Sequence, residues 1–115
     1  MKPTDMGVGI DIVSIKRFKK RPYESHKKFY EKIFSSSEIN YCLKFNEPYR
    51  HFAGKFAVKE AVKKALPAKI GLLDIKTGHH NSKPIVSVRG KKWKLLVSLS
   101  HEEGVAVAVV IAEMI

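Results

Sequence analysis

The hydrophobic and polar positions of this chain change period once, near Pro67. Before it, apolar residues recur at helical spacing; after it, they alternate or run on as strands do. Residues 52–66 predict a helix of about four turns, rich in Ala and Lys and stopped by Pro67. At helical pitch Phe52, Ala53, Phe56, Ala57 and Ala61 gather on a side expected to face the core. Lys55, Lys59 and Lys63 gather on the other as a solvated stripe. Glu60 and Lys64 fall on the apolar side, one turn apart. Charges on a packing face are costly unless paired. The couple is therefore either an i,i+4 ion pair at the edge of the stripe, or the lining of a polar cleft in which the glutamate takes a cation and the lysine a phosphate.

The other elements follow from the same pattern. Residues 7–13 predict a strand buried on both faces, with Val8, Ile10 and Ile12 on one side and Asp11 interrupting the other, two residues after Gly9. A short helix opening at Ser25 or His26 would carry Phe29, Tyr30 and Ile33 inward. Ser35-Ser36-Ser37-Glu38 has the form of a capping box and announces a helix with Ile39, Cys42 and Phe45 inward, ended by Asn46-Glu47-Pro48. Residues 73–77 and 84–88 predict strands across a polar link, 78–83. Residues 94–100 and 105–112 form a stronger hairpin across 101–104, and its nearly all-apolar last strand is expected to be central. Helices in the first half and antiparallel strands in the second define an α+β class, an antiparallel sheet packed against a long central helix and shorter ones.

Composition narrows the picture. At 115 residues with 44% apolar content, the expectation is one globular domain spanning 1–115. The chain shows no apolar run of membrane-spanning length and no signal-peptide layout. Its one cysteine, Cys42, forms no intramolecular disulfide and fits a reducing compartment, so the expected location is cytoplasmic. The histidines lack the spacing of a zinc site, and His79-His80 reads as a solvated turn pair. The formal charge of +11 attracts polyanions. Much of it lies in Lys16, Arg17, Lys19, Lys20, Arg21, Lys27, Lys28 and Lys32, opposed within that stretch only by Glu24 and Glu31. Such a run is either a solvated face or a docking patch.

Candidate chemistry centres on two carboxylates. Asp11 either caps the end of its strand or, with Glu60, holds Mg²⁺, which takes one or two carboxylates plus water and substrate phosphates. Gly54-Lys55 is followed by Phe56 and preceded by no glycine-rich loop, so it is not a P-loop. Ser100 and His101 are neighbours on a strand and point to opposite faces, which disqualifies them as nucleophile and base. His101 is then a phosphate or substrate contact, or a plain turn residue. No RNA-binding sheet signature or helix-turn-helix pattern is found.

Gly9-Ile10-Asp11-Ile12-Val13, Ile15-x-Arg17-Phe18, the segment 52–65 with its Lys59-Glu60-Ala61-x-x-Lys64-Ala65 core, Lys83-Pro84, and Val97-Ser98-Leu99-Ser100-His101 occur in an order and spacing that resemble the holo-[acyl-carrier-protein] synthases. The likeness runs across nearly the whole chain, and the motifs are specific in combination. It implies the 4′-phosphopantetheinyl transferase fold and transfer of the phosphopantetheine arm of coenzyme A to a serine of apo acyl carrier protein, releasing adenosine 3′,5′-bisphosphate in support of fatty acid synthesis. It implies Mg²⁺ on Asp11 and Glu60, Lys64 near the coenzyme A phosphates, and further coenzyme A contacts from Lys55, Lys83, Pro84 and His101. It implies a homotrimer with sites between subunits, and an acidic carrier docked on Arg17, Arg21, Lys28 and Lys32. No nucleic acid or membrane partner is expected. The chain departs from the family pattern in carrying Ser82 where a glycine is usual, Pro67-Ala68-Lys69-Ile70-Gly71 where a glycine-rich stretch is common, and Lys55 where an arginine is frequent. Two rival readings are a basic module that binds nucleic acid, which leaves Asp11, Glu60 and Lys64 unexplained, and the same chemistry on a carrier domain of a larger synthase.

Overall fold

The helix that organises the chain begins at Pro48, one turn before the apolar pattern starts at Phe52, because proline is well suited to the first position of a helix. The structure is a computed structural model that describes residues 5–114. Its elements in order are β1 (Met6–Ser14), α1 (Lys16–Lys19), α2 (Lys27–Glu31), α3 (Ser36–Leu43), α4 (Pro48–Ala65), β2 (Ile75–His80), β3 (Lys83–Val88), β4 (Lys94–Glu102) and β5 (Val105–Glu113), with 3-10 turns at Tyr23–Ser25 and Leu72–Asp74. The α+β class expected from the pattern is what forms.

β5 is central, as its apolar sequence predicts: it pairs antiparallel with β1 on one side and β4 on the other. β2 and β3 form a separate antiparallel hairpin. The link between them is shorter than the polar run suggests. Gly78, His79 and His80 belong to β2, and the turn is Asn81-Ser82, both at positive φ. Asparagine tolerates that left-handed conformation and serine less well, so Ser82 stands where glycine would be free of strain.

α4 is buried almost all round between Phe52 and Val62. One side lies on β1 and β5, and the small residues Ala53, Ala57, Ala61, Ala106, Ala108 and Ala112 bring helix and sheet close together. At its N-terminal end, the rings of Phe18, Tyr30, Phe34, Phe52 and Phe56 pack with centroids between 4.6 and 6.5 Å apart. The Tyr30 hydroxyl is directed at the Phe18 and Arg21 carbonyls, at 3.1 and 2.6 Å, and ties down the end of α1. The short helix forms with Tyr30 buried and Phe29 half-buried, Ile33 turns inward just beyond its end, and the capping box at Ser35 and Glu38 forms as expected.

Four expectations are overturned. The lysine stripe is solvated only at Lys63: Lys59 is wholly enclosed and Lys55 nearly so, because α3 and β2 also pack on that side of α4. Glu60 and Lys64 do not form the i,i+4 pair: at the open edge of the helix–strand contact Lys63 reaches Glu60 and Lys64 reaches Asp11. Phe45 turns outward and stacks on His51 at 3.7 Å. β1 is covered on one face only, and Val8, Ile10 and Ile12 are 67%, 60% and 66% exposed. Register places Val8, Ile111 and Leu96 in one row, Ile10, Val109 and Ser98 in the next, and Ile12, Val107 and Ser100 in the third, so the outer face of the three-stranded sheet is apolar across β1 and β5 and turns polar along β4.

Candidate active site

The first inward positions of β1 are glycines, and this sets the site. A Cβ on Gly7 would meet the Ala65 carbonyl oxygen at 1.8 Å, and one on Gly9 would meet that of Ala61 at 1.9 Å. The strand therefore lies directly on the backbone of α4 and runs antiparallel to it. The next inward residue, Asp11, comes level with the turn that ends in Glu60. Across this contact Lys64 Nζ donates to Asp11 Oδ1 and to the Ile10 carbonyl, both at 3.0 Å. Lys63 reaches Glu60 Oε1 at 4.0 Å. The structure thus brings Asp11, Glu60 and Lys64 to one open edge, two hard carboxylates and an ammonium.

That donor set fits Mg²⁺. Two carboxylates on rigid elements, half-open to solvent, leave room for water and phosphate oxygens, which is how the ion is usually held. Among the described residues no cluster of three or more His, Cys, Asp or Glu side chains forms a complete metal cage. A softer, fully enclosed metal site is not what these residues build.

The other candidate residues lie apart from this edge. His101 is a strand residue, not a turn residue, on the helix-facing side of β4, while Ser100 faces outward as expected. It rests against Gly54, where a Cβ would come within 2.9 Å of its Nε2. That nitrogen lies 3.2 Å from the Arg50 carbonyl, to which it donates. Burial, and then the nearby Arg50 charge, lower the His101 pKa. His51, 6.3 Å away ring to ring, is lowered by burial and then by the charges of His101 and Arg50. A groove of about 610 Å³ opens beside them, lined by Lys19, Tyr49, Arg50 and the β4–β5 turn. Lys83 and Pro84 line a gap of about 690 Å³ between β3 and β4, with Trp93 and Leu95. Neither cavity contains Asp11 or Glu60. His101 lies level with Val13, two strand spacings across the sheet, and Asp11 is two residues further along β1, so their backbones are about 12 Å apart.

Lys55 points to a third place. Its ammonium donates to Thr77 Oγ1 at 3.0 Å and lies 4.7 Å from the centre of the Tyr41 ring; burial lowers its pKa. Thr77 in turn donates to Glu38 Oε2 through its hydroxyl at 2.6 Å and its backbone N–H at 2.9 Å. Glu38 Oε1 accepts from Lys59 at 2.8 Å and from the Ser35 N–H at 2.8 Å. Lys59 completes its set with the Ile33 and Leu72 carbonyls at 2.8 and 3.0 Å. Burial alone would raise the Glu38 pKa, but the hydrogen bonds from Lys59, Thr77 and Ser35 win and lower it. Burial lowers Lys59 despite the attraction of Glu38. The capping-box spacing reveals Glu38 as a helix cap; nothing local reveals its second role, because Lys59 and Thr77 are distant in sequence.

Arg17, Arg21, Lys28 and Lys32 are all exposed. Arg17 lies over the Phe56 ring at 4.7 Å and Arg21 over Phe29 at 5.0 Å, so two of the four cations are held in place by aromatic faces. Phe56 is one turn from Glu60 on α4, so the basic surface borders the carboxylate edge.

An α+β fold with Asp11, Glu60 and Lys64 on neighbouring parts of one helix–strand contact, beside a basic flank, is the class of protein the geometry defines. The match of residues 7–110 to the model of the 4′-phosphopantetheinyl transferase superfamily gives that class a family, to which the chain belongs. It is 40% identical to the holo-[acyl-carrier-protein] synthase of Thermodesulfovibrio yellowstonii, over 91% of this chain and 96% of that protein. It is also 40% identical to the Chlamydia trachomatis serovar D protein of the same name, over 93% and 98%. Among solved structures it resembles the holo-(acyl-carrier-protein) synthase of Bacillus anthracis in complex with CoA (3′,5′-ADP), with a TM-score of 0.81, 32% identity, and coverage of 95% and 96%. It also resembles the Helicobacter pylori enzyme in complex with coenzyme A, with a TM-score of 0.79, 38% identity, and coverage of 91% and 98%.

The buried ion pair has a pH signature. The native Glu38 carboxyl titrates below its ordinary 4.5, so its contribution is complete above that value and is lost as pH falls through the native value. Glu38→Gln should lose stability at neutral pH and show a shallower decline in acid than the native protein, measured by urea unfolding from pH 7 downwards. Lys59→Met, which leaves the carboxylate buried without its ammonium, should cost about 3–5 kcal/mol at pH 7.

Proposed function

We propose that this protein transfers the 4′-phosphopantetheine group of coenzyme A to a serine of apo acyl carrier protein, in a Mg²⁺-dependent reaction that releases adenosine 3′,5′-bisphosphate. The observation that carries the reading is the meeting of Asp11, Glu60 and Lys64 at one open edge, in a chain of this family. In the transfer the serine Oγ–P bond forms, the P–O bond to the nucleotide 5′-phosphate breaks, and the serine proton passes to a base at the site. Asp11 and Glu60 would hold Mg²⁺, whose charge offsets that developing on the leaving phosphate. Lys64 supplies a cation to a phosphate oxygen. Lys55, Lys83, Pro84 and His101 contact the rest of coenzyme A. The reaction takes place in the cytoplasm and serves fatty acid synthesis; the free thiol of Cys42, buried and pushed up to about 12, suits such a compartment. No helix among the described residues is long and apolar enough to cross a membrane.

Two surfaces support the partners in this reading. Val8, Ile10, Ile12, Leu96 and Ile111 are exposed together on one sheet face, and further copies of this chain, in a homotrimer, would cover them. A site shared between subunits also accounts for His101, Lys83 and Pro84 lying away from Asp11 in one chain. The exposed cations Arg17, Arg21, Lys28 and Lys32 suit an acidic carrier protein and would steer it toward Glu60.

The reaction is tested by the intact mass of apo acyl carrier protein after incubation with this protein, coenzyme A and Mg²⁺. A gain of one phosphopantetheine, abolished by EDTA, is expected; Glu60→Gln should lower kcat by about 100-fold or more with the circular dichroism spectrum retained. No gain by a folded sample with several carriers would defeat the assignment. Reversing the charges of Arg17, Arg21 and Lys28 should raise KM for the carrier by about tenfold or more while leaving that for coenzyme A within about twofold. Equal increases would remove the docking role. Ile10→Asp should reduce the mass seen by light scattering from three chains to one; a native protein that is itself monomeric contradicts the trimer.

A further inference from the structure

Lys64 occupies one of the two oxygens of the carboxylate on which a metal at Asp11 would depend. Its Nζ is bonded to Asp11 Oδ1 and the Ile10 carbonyl, two acceptors presented by β1, while its stem comes from α4. The lysine side chain is 55% exposed and that of the aspartate 16%. The carboxylate is thus the fixed partner and the ammonium the movable one. An ion pair this open to water contributes little to stability, so its position calls for another explanation.

An ammonium and a divalent cation cannot share one carboxylate oxygen without strong repulsion. Lys63 adds a second positive charge close to the same edge, within 4.0 Å of Glu60. A metal arriving alone has to drive Lys64 off Asp11 into water and remain beside two ammonium groups. A metal arriving with a phosphoanhydride meets a different situation. Phosphate oxygens then offer Lys64 replacement acceptors, and their negative charge lies between the cations.

We propose that Lys64 is a placeholder on Asp11 that couples the metal to the phosphorylated substrate, leaving the carboxylate when a phosphate oxygen takes over as its acceptor. This rests on the assignment of Asp11 and Glu60 to Mg²⁺ made above. Lys64 then has two successive jobs: it suppresses binding of the bare metal, and it binds the phosphate that comes with it. Because coupling is reciprocal, metal and coenzyme A raise each other's affinity by the same factor.

Mn²⁺ binding followed by electron paramagnetic resonance, with and without coenzyme A, tests the placeholder without any turnover. Coenzyme A should tighten Mn²⁺ binding to the native protein by about tenfold or more. Lys64→Met should bind Mn²⁺ alone about fivefold or more tightly than the native protein does, and should gain far less from coenzyme A. Lys64→Arg, which keeps the charge, should behave as native. Lys64→Gln should follow Lys64→Met and serves in its place if that variant does not fold. Equal Mn²⁺ affinity of the native and the charge-neutral variants, without coenzyme A, overturns the placeholder and leaves the metal site standing. A gain that vanishes at roughly 0.5 M KCl overturns it too, as it would mark only a diffuse, screenable field. Failure of the native protein to bind Mn²⁺ with or without coenzyme A overturns the metal site, and the placeholder with it.

Discussion

Without side chains at Gly7 and Gly9, β1 rests directly on the backbone of α4, and the rest of the site depends on that contact. The distances a Cβ would meet, 1.8 and 1.9 Å to carbonyl oxygens, leave no space for even a methyl group. Close approach fixes how far along the helix each strand residue falls, so Asp11 arrives beside the turn of Glu60 and within reach of Lys64. Small residues continue the arrangement on the helix and on β5, where Ala57, Ala61, Ala106 and Ala108 are fully enclosed. A bulkier interface would separate the carboxylates by tilting or lifting the strand.

The far side of the same helix is fixed by charge instead of by apolar packing. Lys59 has three acceptors and Glu38 has four donor contacts, so the buried pair leaves no hydrogen-bonding group unsatisfied. Those partners come from the start of α3, the loops before it and before β2, and β2 itself. Such a pair contributes less to net stability than to arrangement, since its geometry can be met in only one packing. α4 is thereby held in rotation from both sides, by contact on one and by a satisfied ion pair on the other. Lys64 of the helix meets Asp11 of the strand as a consequence.

Surface chemistry is divided in the same orderly way. Apolar exposure is concentrated on the outer face of the three-stranded sheet, while a large share of the positive charge projects from α1, α2 and the turns between them. The two surfaces ask for different occupants, one apolar and one acidic. The carboxylate edge lies between helix and strand and borders the basic flank through Arg17, whose guanidinium is seated on Phe56.

Local pattern was enough for the elements and for singling out the two carboxylates of the proposed site. The central helix, the capping box at Ser35 and Glu38, the central strand and the α+β class all follow from spacing, and Asp11 and Glu60 stand out as carboxylates where apolar residues are expected. Tertiary structure decided what each charged or apolar side chain faces. Lys59 looks like any exposed helix lysine, and only the arrival of Glu38, a distant cap, makes it a buried one. Val8, Ile10 and Ile12 look like core, yet among the described residues no element covers them. Lys64 looks like a phosphate ligand and is found on Asp11. Periodicity describes a residue's position on its own element, whereas burial and pairing depend on which other element packs there, and that is settled by contacts between residues far apart in sequence.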